Sequence, residues 1–282
     1  MTTLVIGGTG FLGSAVVARL PGCTVLARPT SDRRWLPADA AVRLGDLDEP
    51  ETVRAALRGA ERLVWCASMG FGQVPTLVPL LEGAGVRRAV FLSSTAIFTS
   101  LPARSRGLRL AAERAVRASA LDWTLLRPTM IYGSARDRNV SRLLQLVRRT
   151  PLLPIVAGSA RHQPIFVDDL ADAVVTALGS SVAIGRAYNL GGADALRFDA
   201  LVREAAEAAG RCVRLVPVPC WLASVAAELV PDRPVSVEQI RRLAEDKAVD
   251  IGPAQRDLGF RPRTFAAGVR REAQALGLAP LH

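Results

Sequence analysis

The chain has 282 residues, half of them hydrophobic, enough for one large domain or two joined ones with a substantial core. No apolar run approaches a membrane span, and Met1-Thr2-Thr3 ahead of a short apolar run lacks the basic start of a secretory leader, so a cytoplasmic protein with no membrane partner is expected. The net charge is +10, but the arginines are scattered, without a basic tail or interleaved aromatics, so a nucleic-acid partner is not expected; the positive field suits an anionic cofactor or substrate.

Thr3–Ile6 reads as a short strand, and Ser14–Leu20 has helical spacing. Between them runs Gly7-Gly8-Thr9-Gly10-Phe11-Leu12-Gly13. Gly7 permits a sharp exit from the strand. Gly10 lets a pyrophosphate approach the backbone, and Gly13 lets the helix pack closely on the strand. The helix N-terminus then offers unpaired N–H groups to phosphates. Gly7, Thr9, Gly10, Phe11, Leu12 and Gly13 are therefore the candidate dinucleotide-binding residues. The alternative is a plain glycine-rich strand–helix turn.

Cys23–Ala27 is a second strand with Arg28 at its end. An acidic residue there binds a ribose 2′-hydroxyl, whereas an arginine accommodates a 2′-phosphate. Arg28, with Ser31, Arg33 and Arg34 behind it, favours NADP(H) over NAD(H); the bland reading is a solvated basic turn. Ala41–Gly45 is a third strand, followed by Asp46-Leu47, and Glu51–Leu57 is a helix. Arg62–Cys66 is a fourth strand ending at Ala67-Ser68. Pro75–Gly83 is a helix, and Arg88–Leu92 a fifth strand that runs into Ser93-Ser94-Thr95. Leu108–Ser119 is a helix, and Trp123–Arg127 a sixth strand leading into Pro128-Thr129-Met130. This alternation predicts an α/β fold, a doubly wound parallel sheet with helices on both faces. Ligands in such sheets lie beyond the carboxyl ends of the strands, so Gly7, Arg28, Asp46, Ala67, Ser94 and Pro128 should line one crevice.

Further on, Val140–Arg149 is a helix and Pro151–Pro154 a linker. Val167–Leu178 is a helix whose Asp168-Asp169 reads as an N-cap rather than as a general acid. Ala187–Leu190 is a strand, Phe198–Ala209 a helix and Arg211–Val218 a strand. Trp221–Val230 and Val235–Glu245 are apolar-faced helices hinged by 231–234; they form a substrate lid or simply pack the second half. Cys23, Cys66, Cys212 and Cys220 lack C-x-x-C spacing and read as buried free thiols, with no metal site.

Five motifs fall in an informative order. They are Gly7-x-x-Gly10-x-x-Gly13, Ser93-Ser94, Arg127-Pro128-Thr129 with Tyr132-Gly133, Val167-Asp168-Asp169-Leu170-Ala171, and Arg256-Asp257-Leu258-Gly259-Phe260-Arg261-Pro262. Together they resemble the extended short-chain dehydrogenase/reductases. The resemblance implies a Rossmann domain over residues 1–132 and 164–192 and a smaller, mainly helical substrate region over 133–163 and 193–282. It implies that Asp46-Leu47 meets the adenine, and that Ala67-Ser68 and Pro128-Thr129-Met130 flank the nicotinamide. That family uses a Ser or Thr after the fifth strand and a Tyr-x-x-x-Lys on the next helix. Ser94 fits the first role. The second pair is missing, because the only tyrosines are Tyr132 and Tyr188 and the only lysine is Lys247. Matching Leu110-Ala-Ala-Glu113 onto the family's helix puts Ser105 at the tyrosine position and Arg109 at the lysine position. Arginine can hold a ribose but does not deprotonate, and the serine pKa is too high for a poised acid.

Ser94, Ser105 and Arg109 are thus the candidate catalytic residues. His162 is a possible acid whose default is a surface loop, and Tyr132 reads as a packing residue or a cofactor-side contact before a catalytic one. Such chains resemble antibiotic-tailoring polyketide ketoreductases, which implies an NADPH-dependent reductase of a bulky small molecule, monomeric or homodimeric. A non-catalytic NADP(H)-binding protein and a nucleotide-sugar epimerase or dehydratase are the alternatives.

Overall fold

Strand β1 (Thr3–Ile6) is buried at every position, as a short apolar run must be when both faces of a parallel sheet are covered. In the computed structural model, which describes residues 2–223 and 237–279, β1 lies at the centre of a seven-stranded parallel sheet. Its companions are β2 (Thr24–Ala27), β3 (Ala41–Leu44), β4 (Arg62–Trp65), β5 (Arg88–Leu92), β6 (Asp122–Pro128) and β7 (Arg186–Leu190). The order is β7-β6-β5-β4-β1-β2-β3. The chain winds outward through β2 and β3, then returns to place β4 on the other side of β1. That reversal opens a crevice at the carboxyl ends of β1 and β4.

Helices α1 (Phe11–Val17), α2 (Pro50–Ala56), α3 (Val74–Gly83), α4 (Arg104–Ala118), α5 (Val167–Gly179) and α6 (Gly252–Leu258) belong to the same unit. Trp65 and Phe91 stack on neighbouring strands, 6.1 Å between centroids, within a core that also holds Leu4, Ile6, Leu63 and Leu77. Helix α4 starts four residues before the expected Leu108, from Ala103 in extended backbone without a side-chain cap, so Ser105 lies on its first turn. Helix α5 starts at Val167. Asp168 and Asp169 therefore occupy its first turn rather than the N-cap, where their charge complements the helix dipole. Asp168 pairs with Arg19 at 3.2 Å and Asp172 with the same guanidinium at 2.5 Å.

The first compact unit takes the chain to Pro128, then Val167–Leu190 and Asp250–Arg261; the second takes Thr129–Phe166, Gly191–Val249 and the chain from Pro262 onward. These bounds differ from the expected ones for two reasons. Ile131–Tyr132 pairs with Ile165–Phe166 and so leaves the Rossmann unit. Asp257 of α6 accepts from the Tyr188 hydroxyl at 2.9 Å and pairs with Arg186 at 3.1 Å, which keeps 250–261 on β7. Burial first, and the Asp257 hydrogen bond second, push the Tyr188 phenol up to about 12.

The second unit contains helices Val140–Arg149, Phe198–Ala208, Val237–Ala244 and Phe265–Ala275. The expected linker at Pro151–Pro154 is instead part of a strand, Leu152–Val156, parallel to Arg214–Val218. Every strand of a two-stranded sheet is an edge, so the missing N–H of Pro154 is tolerated. Tyr132 is fully buried between Phe166 and Phe265, and a Cβ on Gly268 would lie 2.0 Å from its hydroxyl oxygen. It is a packing residue.

His162 is not on a surface loop. It is buried in a short strand, tilted against Phe198, with Nε2 3.2 Å from the Leu243 carbonyl oxygen. Burial first, and Lys247 second, lower its pKa. Cys23 is buried and Cys66 half-buried, but Cys212 and Cys220 are exposed, against expectation. Of the expected lid, residues 224–236, including the hinge, lie outside the described residues. No described helix is long and apolar enough to cross a membrane.

Candidate functional site

The carboxyl ends of the strands stand in the order Pro128, Ser94, Ser68, Gly7, Arg28 and Asp46 across β6, β5, β4, β1, β2 and β3. With about 4.8 Å between neighbouring strands, Asp46 and Ser94 are four strand spacings, roughly 19 Å, apart along the sheet. All six belong to the first unit.

At the centre of the row, Gly7 has φ +77°, and a Cβ there would lie 2.6 Å from the Ala67 nitrogen. The exits of β1 and β4 touch backbone to backbone, which only glycine allows. Gly13 is closer still: its Cβ would lie 2.0 Å from the Gly7 carbonyl oxygen. Gly10 is different. Its Cβ would meet only that oxygen, at 3.1 Å. Gly10 is the N-cap of α1 and offers no side-chain cap, so N–H groups of the first turn are left for a ligand. The turn thus has a tight floor and an open face, which suits a pyrophosphate. Leu12 is buried against the core, so only its backbone is available to such a ligand.

On the β2 side, Arg34 is held by Asp32 at 2.9 Å, whereas Arg28 is exposed and its guanidinium has no partner among the described residues. At β3, the Asp46 N–H is held by the Thr52 hydroxyl at 2.9 Å, and Leu47 packs on the core.

On the β4 and β5 side, Ser68 and Ser94 do the same structural job. Each begins a 3-10 turn, Met69–Phe71 and Thr95–Phe98, and each hydroxyl accepts an N–H at 3.2 Å, from Gly70 and Ala96. With its acceptor role used in this way, each hydroxyl still has a proton to donate. Arg109 reaches the first of these turns. A Cβ on Gly70 would lie 3.1 Å from the Arg109 Cζ and 3.3 Å from the Ser68 Oγ, so the guanidinium and the hydroxyl both lie beside this glycine. Ser105, one turn earlier on α4, is half-buried. Thr129 and Met130 fall in the second unit. There the Thr129 hydroxyl donates to the Gln163 carbonyl, and the Met130 carbonyl accepts from Ile165 N–H at 2.9 Å.

Sequence reasoning missed Gly70 and the pair Glu113–Arg127. Glu113 lies four residues after Arg109 on α4, is 4% exposed, and accepts from Arg127 Nε at 2.9 Å and from a second guanidinium nitrogen. Burial opposes its ionisation, but the Arg127 hydrogen bonds and the guanidinium charges of Arg127 and Arg117 outweigh it and lower its pKa. A glutamate among alanines on an otherwise apolar face was the available signal. Among the described residues, no group of His, Cys, Asp and Glu could hold a metal ion.

A family model described as NAD(P)H-binding matches residues 7–180, beginning at the first glycine of the turn. The NAD(P)H azoreductase of Xenophilus azovorans is 28% identical over 76% of this chain and 76% of its own. The UDP-glucose 4-epimerase of Vibrio cholerae is 23% identical over 96% of this chain and 94% of its own. The crystal structure of gox2253 superposes with a TM-score of 0.81 at 23% identity, covering 98% of both chains, a likeness of fold. With its glycine cradle at the centre of a doubly wound sheet, this chain belongs to the NAD(P)H-binding family and has the epimerase/dehydratase-like fold of the extended short-chain dehydrogenase/reductases.

Proposed function

We propose that the protein is an NADPH-dependent ketoreductase acting on a bulky, largely apolar ketone of the aromatic polyketide type. One observation supports the reading: the Arg109 guanidinium of α4 lies against the turn after β4, and the family resemblance would put Ser105 and Arg109 at the positions of a tyrosine acid and its lysine.

Bound NADPH supplies the hydride. Gly7, Thr9, Gly10, Phe11, Leu12 and Gly13 would hold its pyrophosphate, and Arg28 its 2′-phosphate. Asp46 and Leu47 would border the adenine, and Ala67, Ser68 and Pro128 the nicotinamide. Arg109 would hold the ribose as a fixed positive charge. Ser94, its lone pair engaged by the Ala96 N–H, has its hydroxyl proton to point at the substrate carbonyl oxygen. Ser105 would pass a proton without being its source.

Reduction of a ketone tolerates these substitutions. A positioned general acid contributes roughly 10²–10⁴-fold, whereas holding two reactants in place contributes about 7–11 kcal/mol. The proton that completes the alcohol comes from a phenol or enol beside the ketone, or from solvent. An epimerase, which the Vibrio relative brings into view, must first take a proton from a hydroxyl. Arg109 stays charged and cannot serve as that base, so this reading ranks lower.

The test is consumption of NADPH with a panel of aromatic ketones, with and without a neighbouring phenol. Turnover confined to the phenol-bearing members supports a substrate-assisted reductase. Tight NADPH binding with no turnover on any member makes the protein a non-catalytic NADPH binder. NAD(H) retained through purification restores the epimerase.

A further inference from the structure

Two arginine-bearing helix ends meet in the second unit. The helix Val140–Arg149 carries Arg148 and Arg149 in its last turn. The helix Phe198–Ala208 stops at Gly210, φ +65°, where the Gly210 N–H donates to the Glu207 carbonyl and the Arg211 N–H to the Ala206 carbonyl, each at 2.9 Å. This glycine-terminated turn fixes Arg211 at the helix end. The Arg214 N–H donates to the Pro151 carbonyl at 2.8 Å and ties the two exits together. Between them lies a cavity of about 400 Å³, the size of a small-molecule site, lined by Arg148, Arg149, Arg211, Val147, Pro151 and Cys212.

Positive side chains at helix C-termini complement the dipole, but here the charges do not balance. Each helix end carries about half a negative charge, so two ends offset roughly one of the three guanidinium charges. No acidic residue lines the cavity. Arg148 is engaged, donating to the Gly277 carbonyl at 3.1 Å. Arg149 and Arg211 are exposed, and neither forms an ion pair with another described residue. Elsewhere the chain treats exposed arginines differently: Arg34, Arg186, Arg197 and Arg270 each face a carboxylate. Two planar guanidinium forks suit the oxygens of a phosphate, and Val147 and Pro151 add an apolar wall beside them.

We infer that this cavity binds a small organic phosphate, its phosphate dianion held by Arg149 and Arg211 and its apolar body lying on Val147 and Pro151. A phosphate monoester carries close to two negative charges at neutral pH, which matches the surplus. Cys212 stands in the wall, so an occupant covers its thiol. The site uses residues of the second unit alone, whereas the glycine turn and Arg28 belong to the first, so the inference is independent of the reductase reading.

The experiment is calorimetric titration of the full chain with phenyl phosphate, with benzenesulfonate as the singly charged ligand of similar shape, repeated with NADPH present. Phenyl phosphate is expected to bind more tightly than benzenesulfonate, with or without NADPH. Arg149→Gln and Arg211→Gln should each weaken it by about tenfold or more, the loss of a hydrogen bond between charged groups. Arg142→Gln, an exposed arginine on the same helix but outside the lining, controls for the chain's overall positive charge and should change nothing. All three arginines are exposed, so their replacement leaves the core intact, and unchanged melting temperatures verify it. Alkylation by iodoacetamide, read peptide by peptide in a mass spectrometer, locates the ligand: phenyl phosphate should slow the labelling of Cys212 severalfold and leave that of Cys220, also exposed, unchanged. No binding, equal affinity for the two ligands, binding indifferent to both Arg149→Gln and Arg211→Gln, or an unprotected Cys212 overturns the inference. Displacement of phenyl phosphate by NADPH assigns the probe to the cofactor site and overturns it as well. The expected binding pattern without turnover of any ketone leaves this site standing and counts against the reductase alone.

Discussion

Gly10 and Gly13 differ in what one methyl group would meet, and that difference separates cofactor binding from folding. Gly10 has φ −71° and ψ 173°, a conformation open to alanine, and its Cβ would lie 3.1 Å from one carbonyl oxygen. Losing the glycine N-cap costs up to about 1 kcal/mol, and restricting the unfolded chain returns about 0.4–1 kcal/mol. Gly10→Ala should therefore alter stability by less than about 1 kcal/mol, or roughly 2–4 °C in melting temperature for a chain of this size. At Gly13 the same methyl lies 2.0 Å from the Gly7 carbonyl oxygen, well inside ordinary contact. Helix and strand must separate, at about 1–3 kcal/mol or more. Circular dichroism on heating gives the stability, and quenching of NADPH fluorescence gives the affinity. Gly10→Ala should melt near the wild type yet bind NADPH at least about tenfold more weakly, a loss of about 1.4 kcal/mol. Gly13→Ala should lose stability as well. Wild-type NADPH affinity in Gly10→Ala would refute a pyrophosphate against this turn.

Three further outcomes are expected. Arg28→Ala should weaken NADPH binding by about 10–100-fold, the worth of hydrogen bonds to a charged group of about 1.5–3 kcal/mol, and leave NADH binding nearly unchanged in the same titration; equal losses would remove Arg28 from the 2′-phosphate. Ser94→Ala should lower kcat by about 10²–10³, as loss of one preorganised donor to a developing oxyanion does, with the KM for NADPH unchanged; full turnover would exclude Ser94. Glu272 is fully buried, and burial first, then the neighbouring Asp137, push its pKa from 4.5 up to about 10. Between those values the folded state holds a proton that the unfolded state releases, so this group's contribution makes stability fall as pH rises. Glu272→Gln removes the titration, and its advantage over the wild type should grow by up to about 4 kcal/mol from pH 5 to pH 8, at 1.36 kcal/mol per unit. Urea unfolding at the two pH values measures it, and a constant difference would contradict a protonated Glu272.

The sheet was legible because its buried parallel strands carry unbroken apolar runs, as at Leu4–Ile6 and Ala89–Leu92. The glycine turn was legible because it makes local demands on the backbone. What escaped depends on approach between distant segments. Nothing near Gly70 in the sequence announces the Arg109 guanidinium above it, since α4 delivers that side chain from 39 residues away. Pro154 argues locally for a linker, and only pairing with Val216 makes it a strand. His162 sits in a polar stretch, yet a strand pairing with Leu196 and the ring of Phe198 bury it. Helix α4 begins at Arg104 without any capping side chain, so no sequence signal marked its start.

A reductase of this kind requires that hydride reach a carbonyl in a site without a tyrosine acid. NADPH carrying deuterium at the transferable C4 position, incubated with the full chain and a phenol-bearing aromatic ketone, tests it by mass spectrometry and NMR of the product. Deuterium at the carbinol carbon, formed by the wild type and sharply reduced in Ser94→Ala, is the expected result. Tight binding of labelled NADPH with no deuterated alcohol from any ketone would contradict the account.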